Sequence, residues 1–172
     1  MRIPLMLMVL LSGMLRAQLP LSRQSTDIAA VVKTVAAAYR PIALADGIDM
    51  RVELLGALPT ANVDPDRLKQ VTSNLLSNAV RYTPPGGHIL VQIEQTGPAV
   101  QLRVQDSGPG IPESHVTHIF DRFYRTDDAR SRTEGGTGLG LAITRAIVEA
   151  HDGTITAETT AEGALFVVTL PV

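Results

Sequence analysis

The sequence predicts an α/β protein, a two-layer sandwich in which a mixed sheet carries helices on one face. Two observations predict it. Apolar residues recur with helical spacing in some stretches and alternate in others, in the order helix, strand, helix, two strands, loop, helix, two strands. Hydrophobic residues make up 45% of the 172 and charged residues 19%, enough apolar material for one packed core, so one domain with a modest appendage. No internal repeat or low-complexity tract breaks the order.

Residues Ile3 to Leu15 are mostly apolar behind one basic residue, Arg2. Three readings fit them: a helix that packs on a partner, an incidental terminal extension, or a targeting segment with Ala17 at its cleavage point. A membrane-spanning helix takes roughly 20 apolar residues, and Ser12 and Gly13 interrupt this run, so no direct membrane span is expected. The polar, proline-bearing stretch Leu19 to Thr26 reads as a linker or strand-like connector. Residues 1–26 are therefore taken as an apolar helical arm and linker, and 27–172 as the globular domain.

Asp27 opens a helix with Ile28, Val31, Val32, Val35 and Tyr39 on one face, which Pro41 kinks or ends. Ile48 to Leu55 alternates as a strand. Asp64-Pro65 is a strong helix start, because aspartate caps free backbone amides and proline suits the first helical position. That helix runs to about Tyr82 and stops before Pro84-Pro85-Gly86-Gly87. His88 to Gln95 and Ala99 to Gln105, separated by Thr96-Gly97-Pro98, read as a β-hairpin. A short helix follows from Pro112 to Ile119, then a charged loop to Gly136. A helix from about Gly138 to Ala150 ends at Asp152-Gly153, before two strands, Thr154 to Glu158 and Ala164 to Leu170.

Composition removes several classes of function. A formal net charge of -2 gives no electrostatic footprint for nucleic acid or an anionic membrane. Without cysteine there is no disulfide, thiol nucleophile or zinc-thiolate site, which suits the cytoplasm. Three Phe, three Tyr and no Trp leave little for base-stacking platforms.

Chemistry-bearing residues cluster in three stretches. On the helix after Asp64, Leu68, Val71, Leu75, Ala79 and Tyr82 form the apolar stripe, and Asn74, Asn78 and Arg81 fall beside it at i, i+4 and i+7. An amide oxygen is a hard, neutral ligand suited to Mg²⁺, and a guanidinium holds phosphate oxygens. The bland reading is a polar helix edge hydrogen-bonded to water. Asp106-Ser107-Gly108-Pro109-Gly110-Ile111 follows a strand, so its carboxylate can accept from an exocyclic amine such as that of adenine, with glycines letting backbone approach a flat base. An aspartate-capped tight turn is the alternative. Gly135-Gly136-Thr137-Gly138-Leu139-Gly140-Leu141 opens a helix whose amides attract phosphate, but it is neither a P-loop nor a dinucleotide fingerprint, and a flexible joint fits equally. Between them, Phe120 and Phe123 can anchor a mobile flap by their rings. Arg122, Arg125, Arg130 and Arg132 can reach a triphosphate or form a solvated surface.

The motifs in order, Asn-Leu-Leu-Ser-Asn-Ala-Val-Arg-Tyr, Asp-Ser-Gly-Pro-Gly, Phe-Asp-Arg-Phe and Gly-Thr-Gly-Leu-Gly-Leu, make the chain from about Asp27 to Val172 resemble the catalytic ATP-binding domain of bacterial sensor histidine kinases. That domain belongs to the ATPase superfamily of gyrase, Hsp90 and MutL. The resemblance implies a Bergerat-type fold with a flexible ATP lid, and ATP and Mg²⁺ as ligands. By the same resemblance Asn78 binds the metal and Asn74 touches it or its waters. Arg81 stands where the family often has lysine and contacts phosphate, and Tyr82 flanks the nucleotide. Asp106 fixes the adenine amine while Gly108, Gly110 and Ile111 shape the base pocket. Gly136, Thr137, Gly138, Leu139 and Gly140 form the phosphate-proximal end of the lid. The gyrase branch has a water-activating glutamate about where Asn74 sits, so asparagine implies phosphoryl transfer to a protein rather than hydrolysis.

Such kinases phosphorylate a histidine in a His-Glu/Asp-x-Arg-Thr-Pro context. The four histidines here, His88, His115, His118 and His151, lack it, and His151 instead matches the family's histidine-glycine-glycine turn with Asp152 in the middle. Residues 5–18 are similar to the end of the family's second bundle helix. The expectation is a two-component signalling subunit that donates phosphoryl groups in trans to a histidine on a separate dimerisation-domain protein, and through it to a response regulator. It would be cytoplasmic, reaching the membrane only through a partner sensor. The alternatives are an anti-sigma-factor-type serine kinase, a class that carries an acidic residue at the position of Asn74, and a truncated, non-catalytic binding module.

Overall fold

A computed structural model describes residues 20–124 and 138–172. The larger sheet has five strands in the order β2-β4-β5-β7-β6, namely β2 (Asp49–Leu55), β4 (His88–Thr96), β5 (Ala99–Asp106), β7 (Ala164–Pro171) and β6 (Thr154–Thr159). Only the β2–β4 pair is parallel, which requires a crossover, and helix α2 (Pro65–Tyr82) makes it. A second, two-stranded sheet joins β1 (Gln24–Thr26) to β3 (Ala61–Val63). Helices α1 (Ile28–Ala45), α2 and α4 (Gly140–Ala150) are joined by a short α3 (Glu113–Val116).

Strand register sets the core. Val91, Val104, Phe166 and Ala157 stand in one cross-strand row, and Ile93, Leu102, Val168 and Ile155 in the next. These rows face α2 and its neighbours, and burying each large side chain contributes about 1.5–3 kcal/mol. The opposite face carries Gln92, Glu94, Gln101 and Arg103, so one face is packed and one faces water. The row Met50, Ile89, Asp106 follows the same alternation. Period-two geometry therefore turns the Asp106 carboxylate inward, at an apolar position.

Helix α2 begins as its cap residues dictate: the Asp64 side chain accepts from the amides of Asp66 and Arg67, with Pro65 in the first turn. Its buried stripe is Leu68, Val71, Thr72, Leu75, Leu76 and Ala79. Tyr82, expected in that stripe, is only half-buried, as the last residue of the helix.

Three other expectations change. Pro41 does not end α1, which continues to Ala45 on the helix's exposed side. The helix expected from Gly138 begins at Gly140, because Gly138 has φ +69, outside the helical region. Gln24 to Thr26, within the stretch read above as a linker or strand-like connector, is a strand that pairs with Ala61 to Val63. The short helix is confined to Glu113–Val116, with turns carrying the chain on to Ile119. Although α1 is 18 residues long with mean hydropathy 1.4, it is a core helix whose Ile28, Val32, Ala36 and Ala43 are buried.

Candidate nucleotide site

Helices α2 and α4 lie side by side, and Asn74 joins them. Its amide nitrogen donates to the Gly140 carbonyl at 3.0 Å and to Thr144 Oγ1 at 3.1 Å, while Thr144 donates back to Gly140 at 2.8 Å. Thr144 is fully buried, a polar group on the apolar face of α4 that sequence reasoning passed over. Because both bonds use the Asn74 nitrogen, its oxygen is the atom left to meet a cation. Asn78 lies one turn further along the same edge, half-buried. The Arg81 guanidinium stands 5.8 Å from the centre of the Tyr82 ring.

Asp106 is 4% exposed, and its Oδ1 accepts from the amides of Gly108 at 2.9 Å and Ala164 at 3.3 Å. Oδ2 has no protein donor among the described residues. Burial pushes the carboxyl above its ordinary range, only partly offset by those two amides. The turn after Asp106 touches the end of α2: a Cβ on Gly108 would stand 2.6 Å from the Tyr82 carbonyl oxygen, so only glycine permits the approach. Asp106, Gly108 and Tyr82 thus meet at one corner. Gly110 and Ile111 continue that turn, and Ile111 packs against the core.

Helix α4 starts without a side-chain cap at Leu139, which leaves first-turn amides available to an anion. Of the expected flap anchors, Phe120 packs edge-on against Phe166 at 6.5 Å, whereas Phe123 is 70% exposed with φ +63 and does not anchor by its ring. The Phe123 amide donates to the Gly138 carbonyl at 3.0 Å, so the chain before residue 125 and the chain after residue 137 meet there. Arg122 is exposed. Arg125, Arg130, Arg132, Gly136 and Thr137 lie outside the described residues.

Each histidine has neighbours of its own. His151 is buried: Nε2 accepts from the Asp64 amide at 2.9 Å and Nδ1 bonds the Ile147 carbonyl at 2.8 Å, tying the end of α4 to the start of α2. His115 bonds Tyr124, His118 bonds Asp121 at 3.0 Å, and the exposed His88 lies 3.8 Å from Glu162. On the connector, the Ser22 amide donates to Asp64 and Arg23 pairs with Asp152 at 2.9 Å. Burial alone would raise the Asp64 carboxyl, but the amides of Ser22, Arg67 and Asp66 outweigh it and hold the group below its ordinary range.

Residues 63–172 match the family model described as histidine kinase-, DNA gyrase B- and HSP90-like ATPase. Sensor histidine kinase CusS of Escherichia coli O157:H7 is 43% identical over 129 residues, covering 75% of this chain and 27% of CusS. Sensor histidine kinase WalK of Bacillus subtilis is 41% identical over 130 residues, covering 72% of this chain and 21% of WalK. The chain thus spans about a quarter of the length of these two relatives. Among solved structures, the catalytic domain of histidine kinase ThkA superposes with TM-score 0.79 at 29% identity, covering 87% of this chain and 95% of that one. Full-length ShkA, solved in complex with AMPPNP, gives 0.80 at 30% identity over 96% of this chain and 36% of ShkA. ThkA in complex with the response regulator protein TrrA gives 0.76 at 27% identity, over 96% of this chain and 47% of ThkA.

Proposed function

Because the chain belongs to the histidine kinase-, DNA gyrase B- and HSP90-like ATPase family, as the histidine-kinase-type ATPase domain of two-component sensor kinases, we propose that it binds Mg·ATP at the corner between α2, α4 and the Asp106 turn. It donates the γ-phosphoryl group to a histidine on a separate partner protein. The observation that carries the reading is Asp106: a carboxylate buried in an apolar row, with Oδ1 held by two backbone amides and Oδ2 without a donor among the described residues. An acceptor in that setting suits the exocyclic amine of adenine, and Tyr82, Gly108, Gly110 and Ile111 surround the base.

The phosphates then run toward the uncapped start of α4, where the amides near Leu139 and Gly140 meet negative charge, with Gly136, Thr137 and Gly138 before them. Arg81 and Arg122 supply positive charge, and Arg125, outside the described residues, adds to it. Among the described residues no cluster of three acidic or histidine side chains could hold a metal by itself. The donor set present, the amide oxygens of Asn78 and Asn74, suits Mg²⁺, which keeps several waters and takes its remaining ligands from phosphate. When bound, that ion neutralises charge on the phosphates. The chain's own groups orient the base and phosphates, and positioning provides most of the catalysis in phosphoryl transfer. A neutral amide at Asn74, with its nitrogen engaged by α4, cannot act as a base toward water, which favours transfer over hydrolysis.

None of the four histidines among these residues has an acceptor context, and His151 has both ring nitrogens engaged, so the acceptor histidine is placed outside residues 1–172. The partner is a histidine-bearing dimerisation-domain protein, and through it a response regulator receives the group. The test mixes the full chain with labelled ATP, with and without a candidate histidine-bearing partner. Acid-labile label on the partner's histidine, abolished by Asn78→Ala, is the predicted result. Stable label on this chain alone contradicts it.

A further inference from the structure

The turn that follows Asp106 is closed at its start by the Gly108 amide on Asp106 Oδ1, and the β6–β7 hairpin braces the rest of it. One hydroxyl, Thr159 Oγ1 at the end of β6, accepts from the Ile111 amide at 2.8 Å and donates to the Ile111 carbonyl at 2.7 Å. A hydroxyl can do both at once, since it carries one donor and two acceptor sites. The Thr159 methyl lies where a Cβ on Gly110 would fall, 2.6 Å from it, so the residue before Ile111 is packed directly on this side chain. At the other end of the same hairpin, Gly163 (φ +151) lies so close that a Cβ there would be 2.1 Å from the Asp106 carbonyl oxygen. The next residue, Ala164, donates its amide to Asp106 Oδ1. Both ends of the Asp106–Ile111 segment are therefore fixed by the two ends of the Thr159–Ala164 turn.

We infer that Thr159 is a positioning residue for base recognition: its hydroxyl locks the Gly110–Ile111 corner so that the base meets Asp106 in one register. The inference rests on reading this corner as the adenine pocket. Thr159 touches neither substrate nor the reacting phosphates; it acts through Ile111. Without the hydroxyl, the Ile111 amide and carbonyl turn to water and the corner samples other positions, loosening the wall opposite the carboxylate. A valine keeps the branched shape against Gly110 and removes only the hydrogen bonds, whereas a serine keeps the hydroxyl and removes the methyl.

The test compares ATP with inosine triphosphate, which lacks the exocyclic amine, by calorimetric titration of the parent chain, Thr159→Val and Thr159→Ser. Thr159→Val is expected to weaken ATP binding about tenfold and to shrink the preference for ATP over inosine triphosphate. Its melting temperature should fall by no more than about 4 °C. Thr159→Ser is expected to stay within about twofold of the parent, as one retained hydroxyl predicts. Thr159→Val binding ATP as the parent does, or losing both nucleotides equally, overturns the inference. A parent chain that binds ATP yet shows no preference for it also overturns it, and a parent that binds no nucleotide overturns the pocket assignment itself.

Discussion

Replacing Asp106 with asparagine separates folding from recognition at one atom. In the native chain Oδ1 is engaged by the amides of Gly108 and Ala164, and an asparagine oxygen can accept the same two bonds. The change falls on Oδ2, where an acceptor becomes an amide donor facing the donor amine of adenine. A hydrogen bond to a charged acceptor is worth about 1.5–3 kcal/mol, so ATP affinity should fall roughly tenfold to more than a hundredfold. Stability moves the other way. Burial raises the Asp106 pKa on folding, so the folded state holds its proton more tightly than the unfolded one. This group's contribution is then fully present below its unfolded value of about 3.8 and is lost as pH rises through the elevated folded value. At neutral pH the native carboxylate is a burden on folding that asparagine removes. Asp106→Asn should therefore melt no lower than the parent at pH 7, with any advantage fading as pH falls through the raised folded value and gone below the unfolded value of 3.8. Calorimetric titration with ATP and thermal melts from pH 3 to 8 read both effects. A variant that keeps ATP affinity refutes the role of Oδ2, and one that unfolds at pH 7 while the parent stays folded refutes the account of its burial.

Asn78→Ala should keep the parent's melting temperature within about 3 °C, since Asn78 is a half-buried edge residue, while Mg²⁺ ceases to strengthen ATP binding in a titration with and without the ion. Gly108→Ala should drive the turn off the Tyr82 carbonyl and weaken ATP binding more than tenfold, read by the same titration. Asp64→Ala removes the α2 cap and the bond from Ser22, and should cost about 1–3 kcal/mol in urea unfolding at pH 7. Because the Asp64 pKa is lowered on folding, its contribution is present above its unfolded value and lost as pH falls through the folded one, so the gap between variant and parent should close in acid. Leu75→Ala empties a site with no solvent exposure and should cost roughly 2–5 kcal/mol in the same assay.

The larger elements were legible because each carries several periods of its pattern. The 18 residues of α2 show a full stripe between a cap-proline start and a Pro-Pro-Gly-Gly stop, and β5 alternates through eight residues down to Asp106. Strands β1 and β3 hold three residues each, too few to show an alternation, and only their pairing with one another defines them. Pro41 left the end of α1 open, because a proline inside a helix can kink it without ending it. The site residues stood in motifs and could be named, but what supports them could not. Thr144 meets Asn74 across 70 positions of sequence, Thr159 meets Ile111 across 48, and His151 meets Asp64 across 87. No local pattern encodes such distances. Thr144 did leave a trace, as a lone hydroxyl on the buried side of α4, and Asp152 at φ +60 follows a buried histidine in the same way that a glycine would.

The proposed function rests on uptake of Mg·ATP at one corner of this fold, with the Asp106 carboxylate reading adenine. A calorimetric titration of the unmodified chain with ATP and with GTP, each with and without Mg²⁺, tests it most directly. One ATP per chain is expected, bound more tightly with Mg²⁺, and GTP at least tenfold more weakly, the least that the loss of one hydrogen bond to a charged acceptor implies. Heat from GTP equal to that from ATP, or none from either, would contradict it.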